Sequence, residues 1–256
     1  MKRVIYEINP LIEVILQLRF PTNLSISNTE PIEFQRGIST LFPNYQPEIQ
    51  NEQEISFIPN DTELKPSFRN RNTVNHSFIT KEGFSKITLT NSTISISTLK
   101  YTKWEDFFSL FSEVVQCFND VYKPQYFERI GLRYIDAFRK EQLELTDTPW
   151  NELINKPWIG VLSDIDEEKT LLSTTDTEYL LDDSNTHLKV HSGIGRINNY
   201  PNPVFIIDSD FIHIANENIE EWKKIAETLH NFSDDFYQRT ITEKLKKSLK
   251  PTNLED

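Results

Sequence analysis

The sequence predicts an α+β protein in which antiparallel sheet packs against aromatic-faced helices, and three observations carry that expectation. Short segments alternate apolar and polar residues with the two-residue period of half-buried strands. Two segments, Trp104 to Val121 and Ile219 to Phe236, instead repeat large apolar residues at three- and four-residue spacing. Seventeen Phe and nine Tyr among 256 residues supply a core of large flat side chains. Strands precede each aromatic helix, so the chain reads as two strand-strand-helix halves, 1–140 and 141–256, packed as one continuous body.

The first clear element is PLIEVILQLRFP, in which Ile12, Val14, Leu16, Leu18 and Phe20 share one face while Glu13, Gln17 and Arg19 share the other. EPIEFQRGISTLFP follows as a short helix, with Ile32, Phe34 or Gln35, Ile38, Leu41 and Phe42 at helical spacing, Thr29 placed to cap it and Pro43 to end it. From Tyr45 to Ser77 the text is polar and irregular: a strand at EISFIP, then a loop through NDTELKPSFRNRN. FSKITLTNSTISISTLKY reads as a hairpin turning at Asn91-Ser92, with Ile87 and Leu89 alternating before it and Ile94 and Ile96 after it. Thr102 and Glu105 then form a capping box for the first aromatic helix, whose stripe runs through Trp104, Phe107, Phe108, Phe111, Val114, Val115, Phe118 and Val121 to Pro124.

The next strand, FERIGLRYIDAF, is the most informative. Ile130, Leu132, Tyr134 and Phe138 form its oily side, which Asp136 interrupts; Arg129 and Arg133 stand on the other side around Gly131. After a connection marked by TPWNELINKPW, the segments TEYLLDD, THLKVHSGIGRI and NPVFIIDSDFIHI read as strands. They precede a helix carrying Ile219, Trp222, Ile225, Leu229, Phe232 and Phe236, and a second box, Thr240 with Glu243, begins or continues TITEKLKKSL. The tail KPTNLED is expected to fray. Trp104 precedes Phe118, and Trp222 precedes Phe236, by the same fourteen residues, either a duplication or a chance alignment of two aromatic helices.

Composition excludes several classes. A formal net charge of −12 repels polyphosphate at long range, so nucleic-acid binding by the whole surface is not favoured, although a local basic patch is compatible with it. Cys117 is the only cysteine, which rules out an intrachain disulfide and a multi-cysteine metal site and fits a reducing compartment. The opening MKRVIYEINP has no signal-peptide pattern and no apolar run reaches membrane-spanning length, so a cytoplasmic protein without membrane contact is expected.

NPLIEVILQLRFP, YTKWEDF with FERIGLRYIDAF, FIIDSDF and FYQRTIT together resemble a sporadically distributed prokaryotic family known mainly from those landmarks. The resemblance spans nearly the whole chain. It implies a cytosolic microbial protein with an α+β fold, and its patchy distribution associates it with mobile islands and antiviral defence loci. It implies no reaction and no site residues.

Candidate chemistry is sparse. Arg129 and Arg133 lie roughly 13 Å apart on one strand face, with Gly131 leaving the space between them open. They could hold an elongated anion or pair with Glu13 from the opening strand. Asp208 and Asp210 share a strand face and are weak candidates for a divalent cation, with no third ligand in view; His213 falls on the opposite face. His187 and His191 are too far apart on a strand to chelate one ion, and His76 and His230 have no visible partners. Cys117 is assigned to packing. No Gly-rich phosphate loop or nucleophile elbow occurs, so no cofactor, catalytic residue or metal site is assigned. The leading expectation is a non-enzymatic interaction or scaffold protein, self-associating or bound to a protein partner, in a prokaryotic defence setting. The alternatives are binding of nucleic acid or a small anion through Arg129, Arg133 and KLKKSLK, and metal-dependent hydrolysis at Asp208 and Asp210.

Overall fold

In the computed structural model, residues 4–60, 63–181, 185–197 and 200–253 are described. In chain order the elements are β1 (Val4–Tyr6), β2 (Leu11–Arg19), α1 (Leu24–Asn28), α2 (Ile32–Ile38), β3 (Asn44–Asn60), β4 (Glu63–Ile79), β5 (Ser85–Leu89) and β6 (Thr93–Thr98). There follow α3 (Trp104–Tyr122), β7 (Tyr126–Phe138), α4 (Lys156–Ile159), β8 (Ser173–Leu180), β9 (Thr186–Gly195), β10 (Val204–Asn218), α5 (Trp222–Thr240), α6 (Glu243–Ser248) and β11 (Pro251–Asn253). Short 3₁₀ turns flank α4. The fold is α+β, as the alternation and the aromatic stripes require.

Nine strands form one antiparallel sheet in the order β3-β4-β5-β6-β2-β7-β10-β9-β8, and β1 pairs with β11 beside it. The alternating residues of β2, β6 and β7 place Val14, Leu16, Leu18, Ile94, Ile96, Ile130 and Leu132 in the core, against α3 and α5. Rings knit these layers: Phe20 lies 4.8 Å from Phe118, and Phe111 of α3 lies 5.7 Å from Trp222 of α5.

Two units of one grammar meet at the β2–β7 seam. Each opens with a strand, passes through a helical segment, returns as a meander whose last strand pairs with the opening one, and ends in a 19-residue helix headed by Trp. In the first unit β2 pairs with β6 before α3; in the second β7 pairs with β10 before α5. By topology the second unit starts at Tyr126, whereas reading by composition places the division at residue 140. The shared Trp-to-Phe spacing of the two helices fits this equivalence.

Several local expectations are corrected. NDTELKPSFRNRN is not a loop: Asp61 and Thr62 lie outside the described residues, and from Glu63 onward the segment is strand β4, paired along its length with β3. Only His76 to Ile79 of β4 pair with β5, so Pro66 sits where no inner neighbour needs its missing N–H. The helix caps also shift. Thr29 donates its hydroxyl to Ser25 O and closes α1 instead of capping α2. Lys103, not Thr102, precedes the first turn of α3. Thr242 caps α6, while Thr240 bonds back to Phe236 O at the end of α5. The tail does not fray at once, because Pro251–Asn253 pairs with β1; the last three residues lie outside the described ones.

Candidate functional site

The polar face of β7 answers why a glycine separates two arginines. The register sets Asp210 of β10 opposite Arg133, and Gln17 of β2 opposite Gly131. Arg133 makes a forked contact with Asp208, Nε to Oδ1 at 2.6 Å and Nη2 to Oδ2 at 2.5 Å. Arg129 leans along the strand over Gly131, donating to Gln17 Oε1 at 2.9 Å and to Asp210 Oδ2 at 3.0 Å. A Cβ on Gly131 would lie 2.6 Å from Arg129 Nη1, so the glycine is the floor on which the guanidinium rests. Glu13, opposite Ile135, is not the partner.

This ladder pairs four charges of the second unit across β7 and β10, with Gln17 of β2 its link to the first, rather than offering two free cations. Burial raises the Asp210 carboxyl above its ordinary value against the pull of Arg129 and Arg133, while the hydrogen bond that Arg133 donates to Asp208 raises the guanidinium above its own. Around it stand Glu178, Lys189 and His191, with His191 Nδ1 2.7 Å from Asp176 and His187 Nδ1 3.5 Å from Glu178. Among the described residues no three His, Cys, Asp or Glu side chains gather as a metal would need. Replacing both Arg129 and Arg133 by Ala should lower stability by about 1–3 kcal/mol, because charge-assisted hydrogen bonds are lost and two carboxylates are left behind. Urea denaturation checks this; an unchanged midpoint would return the pair to the role of a free anion clamp.

The opposite face of the same strand holds the stronger site. Asp136, the one residue interrupting the oily side of β7, is 3% exposed, and its Oδ1 has no hydrogen-bond partner among the described residues. A β-bulge between Leu11 and Glu13 sets Leu11, rather than Ile12, opposite it. Burial alone pushes the Asp136 carboxyl up to about 8. Beside it lies a cavity of about 360 Å³ between β7, the chain before β2, and the helices α3 and α5.

Aromatic and polar groups from distant parts of the chain converge on that cavity. The Tyr134 hydroxyl lies 2.9 Å from His230 Nδ1. His230 in turn stacks on Trp104 with ring centroids 4.4 Å apart and planes 12° from parallel. Trp104 Nε1 donates to Glu227 Oε1 at 2.7 Å, which locks the indole as a wall. The Tyr237 hydroxyl is buried without a hydrogen-bond partner among the described residues, and Tyr6 closes the side, its hydroxyl accepting from Gln238 Nε2 at 3.2 Å. Burial holds both Tyr134 and Tyr237 well above the ordinary phenol value. Asn9, Thr102, Lys103 and Glu105 at the cavity's edge are exposed and form its mouth.

Reasoning from the sequence separates these residues. Arg129, Arg133, Asp208 and Asp210 are brought together as one ladder; His213 is taken away from it, bonded to Thr186 and Glu217. His230 and His76 both have partners, the latter Tyr45 at 2.8 Å. Cys117 packs its Sγ 3.8 Å from Phe34 O, in space that a Cβ on Gly37 would occupy. The cavity residues form no motif in the chain, and one signal could have found them: a carboxylate among four apolar neighbours on the buried side of a strand. Among the described residues no helix is long and apolar enough to cross a membrane. No protein-family model and no curated protein matches the chain.

Proposed function

We propose that this chain is a binding protein whose cavity between β7 and α5 takes a small organic molecule. One observation carries the reading: the Asp136 carboxyl and the Tyr237 hydroxyl are both buried at the wall of a cavity rich in aromatic residues, each with an atom lacking a hydrogen-bond partner among the described residues. Buried polar groups are nearly always satisfied, and an orphan costs about 1–3 kcal/mol. Two orphans on residues that line one cavity therefore favour an occupant that draws out the missing contacts. The volume of about 360 Å³ falls within the range of small-molecule sites, and apolar walls with a few placed polar groups are their usual composition.

A thermal-shift screen of aromatic amines, alcohols and acids tests this reading. Binders should raise the melting temperature, and saturation with one ligand at a hundredfold excess over its Kd corresponds to about 2.7 kcal/mol. The effect should vanish in Ser233→Leu and in Ser209→Phe, which fill the cavity from α5 and from β10 respectively. Binding that survives both substitutions, or a screen in which nothing raises the melting temperature, overturns the proposal.

A further inference from the structure

We infer that the occupant of this cavity is a small organic cation, an amine or quaternary ammonium, with Asp136 as its counterion and the aromatic walls around its charge. The inference rests on the small-molecule reading above and names the class of ligand. Its ground is a mismatch of charge inside the cavity. Asp136 is buried in the wall, Asp234 and Glu105 line the wall and mouth, and the lysine at the rim, Lys103, reaches Asp106 at 3.3 Å. An anionic ligand would meet three carboxyl groups. A cation would meet the Asp136 carboxyl, whose Oδ1 has no hydrogen-bond partner among the described residues, and the rings of Tyr6, Tyr101, Trp104, Tyr134 and Tyr237. Ring faces carry the negative end of the aromatic quadrupole, so they favour a positive guest over an isosteric neutral one.

Pairing with a cation requires Asp136 as carboxylate. In the empty cavity burial keeps the group protonated up to about pH 8. Entry of the ammonium therefore breaks the carboxyl O–H bond, the proton passes to solvent, and the carboxylate keeps the electron pair and faces the guest. Binding below pH 8 should thus release one proton per ligand and tighten as the pH rises. The groups facing Asp136 are Tyr134 on its own strand, Tyr6 and Tyr101 before β2 and α3, Lys103 and Glu105 at the start of α3, and His230, Asp234 and Tyr237 on α5. Tyr134 and Tyr237 are held protonated in this range by burial, so they do not supply the released proton.

Calorimetry on the full chain with three probes of similar size tests the assignment: benzyltrimethylammonium, 2-phenylethanol and 3-phenylpropionate. The cation should bind at least tenfold more tightly than the other two at pH 8. Its affinity should fall close to tenfold per pH unit below that, and the heat should vary with the ionisation enthalpy of the buffer. Asp136→Asn should lose at least tenfold in cation affinity while leaving the alcohol unaffected, and Tyr237→Phe should retain the cation. Equal binding of the alcohol and the cation, or cation binding with no proton release, overturns the charge assignment and leaves the cavity reading standing. If no probe binds while the broader screen yields neutral or acidic ligands, the charge assignment alone falls. If that screen is empty as well, both fall together.

Discussion

The stability of the native chain relative to the Asp136→Asn variant should decline steadily as the pH rises from about 4 to about 8. The sign follows from the raised carboxyl. Unfolded, Asp136 releases its proton near its ordinary value of 3.8; folded, it holds it to about 8. Between those values the native state binds the extra proton, so raising the pH favours unfolding by about 1.4 kcal/mol per pH unit for this group. Full stabilisation is present below the unfolded value, is lost as pH climbs through the folded one, and is level above it. The total is on the order of 5 kcal/mol, a large part of the roughly 5–15 kcal/mol that holds a domain of ordinary stability together. The other ionisable groups are common to both proteins, so the difference between the two pH profiles isolates Asp136. Chemical denaturation at half-unit pH steps provides the measurement, and parallel profiles would show that the carboxyl is solvated. A cation that binds as proposed should shift the decline toward lower pH.

The Trp104→Ala variant should lose about 3–5 kcal/mol of stability, the range for removing a buried aromatic side chain, together with all ligand binding. Trp104 is 2% exposed and lies at the junction of α3, α5 and the cavity. It stacks on His230, contacts Phe108 with centroids 4.9 Å apart, and reaches Glu227 through its indole nitrogen. Truncation removes both ring contacts and lets the cavity merge with the space left behind. Trp104→Phe separates the contributions: it keeps an aromatic wall and forfeits the bond to Glu227, for a cost of about 1 kcal/mol. Equilibrium unfolding of both variants checks the pair. A Trp104→Ala protein as stable as the native chain would show that α3 and α5 are held apart from this junction by other contacts.

A cavity with orphaned polar groups sits badly with a purely structural role. Three expensive features meet within it: a carboxyl pushed far from its ordinary value, a phenol with no hydrogen-bond partner among the described residues, and an indole held rigid by a carboxylate. Structural cores avoid such groups because each costs free energy that apolar packing would not. Their retention on one wall, where two topologically equivalent units come together, favours binding as the reason. The charged ladder on the far side of β7 behaves differently. Its groups satisfy one another, and they tie β7 to β10, with Gln17 reaching across the seam from β2.

Much of this architecture was legible residue by residue. Alternation in PLIEVILQLRFP and FERIGLRYIDAF determined two adjacent central strands, and the Trp-headed stripes determined both long helices, because burial on one side of a regular element leaves its period in the chain. Even Asp136 announced itself as a break in that period. Caps were misplaced by one or two positions because hydrogen bonding, not residue type, decides which Thr closes a helix. Partnership across the sheet was decided only by tertiary structure. Arg129 meets Asp210 and Gln17, and Asp136 shares a cavity with Tyr6, Trp104 and His230, because strand register and helix docking bring together positions up to some two hundred residues apart. Local periodicity records which side of an element faces inward. It carries no trace of what stands across from it, since that depends on long-range pairings whose energies belong to both partners at once.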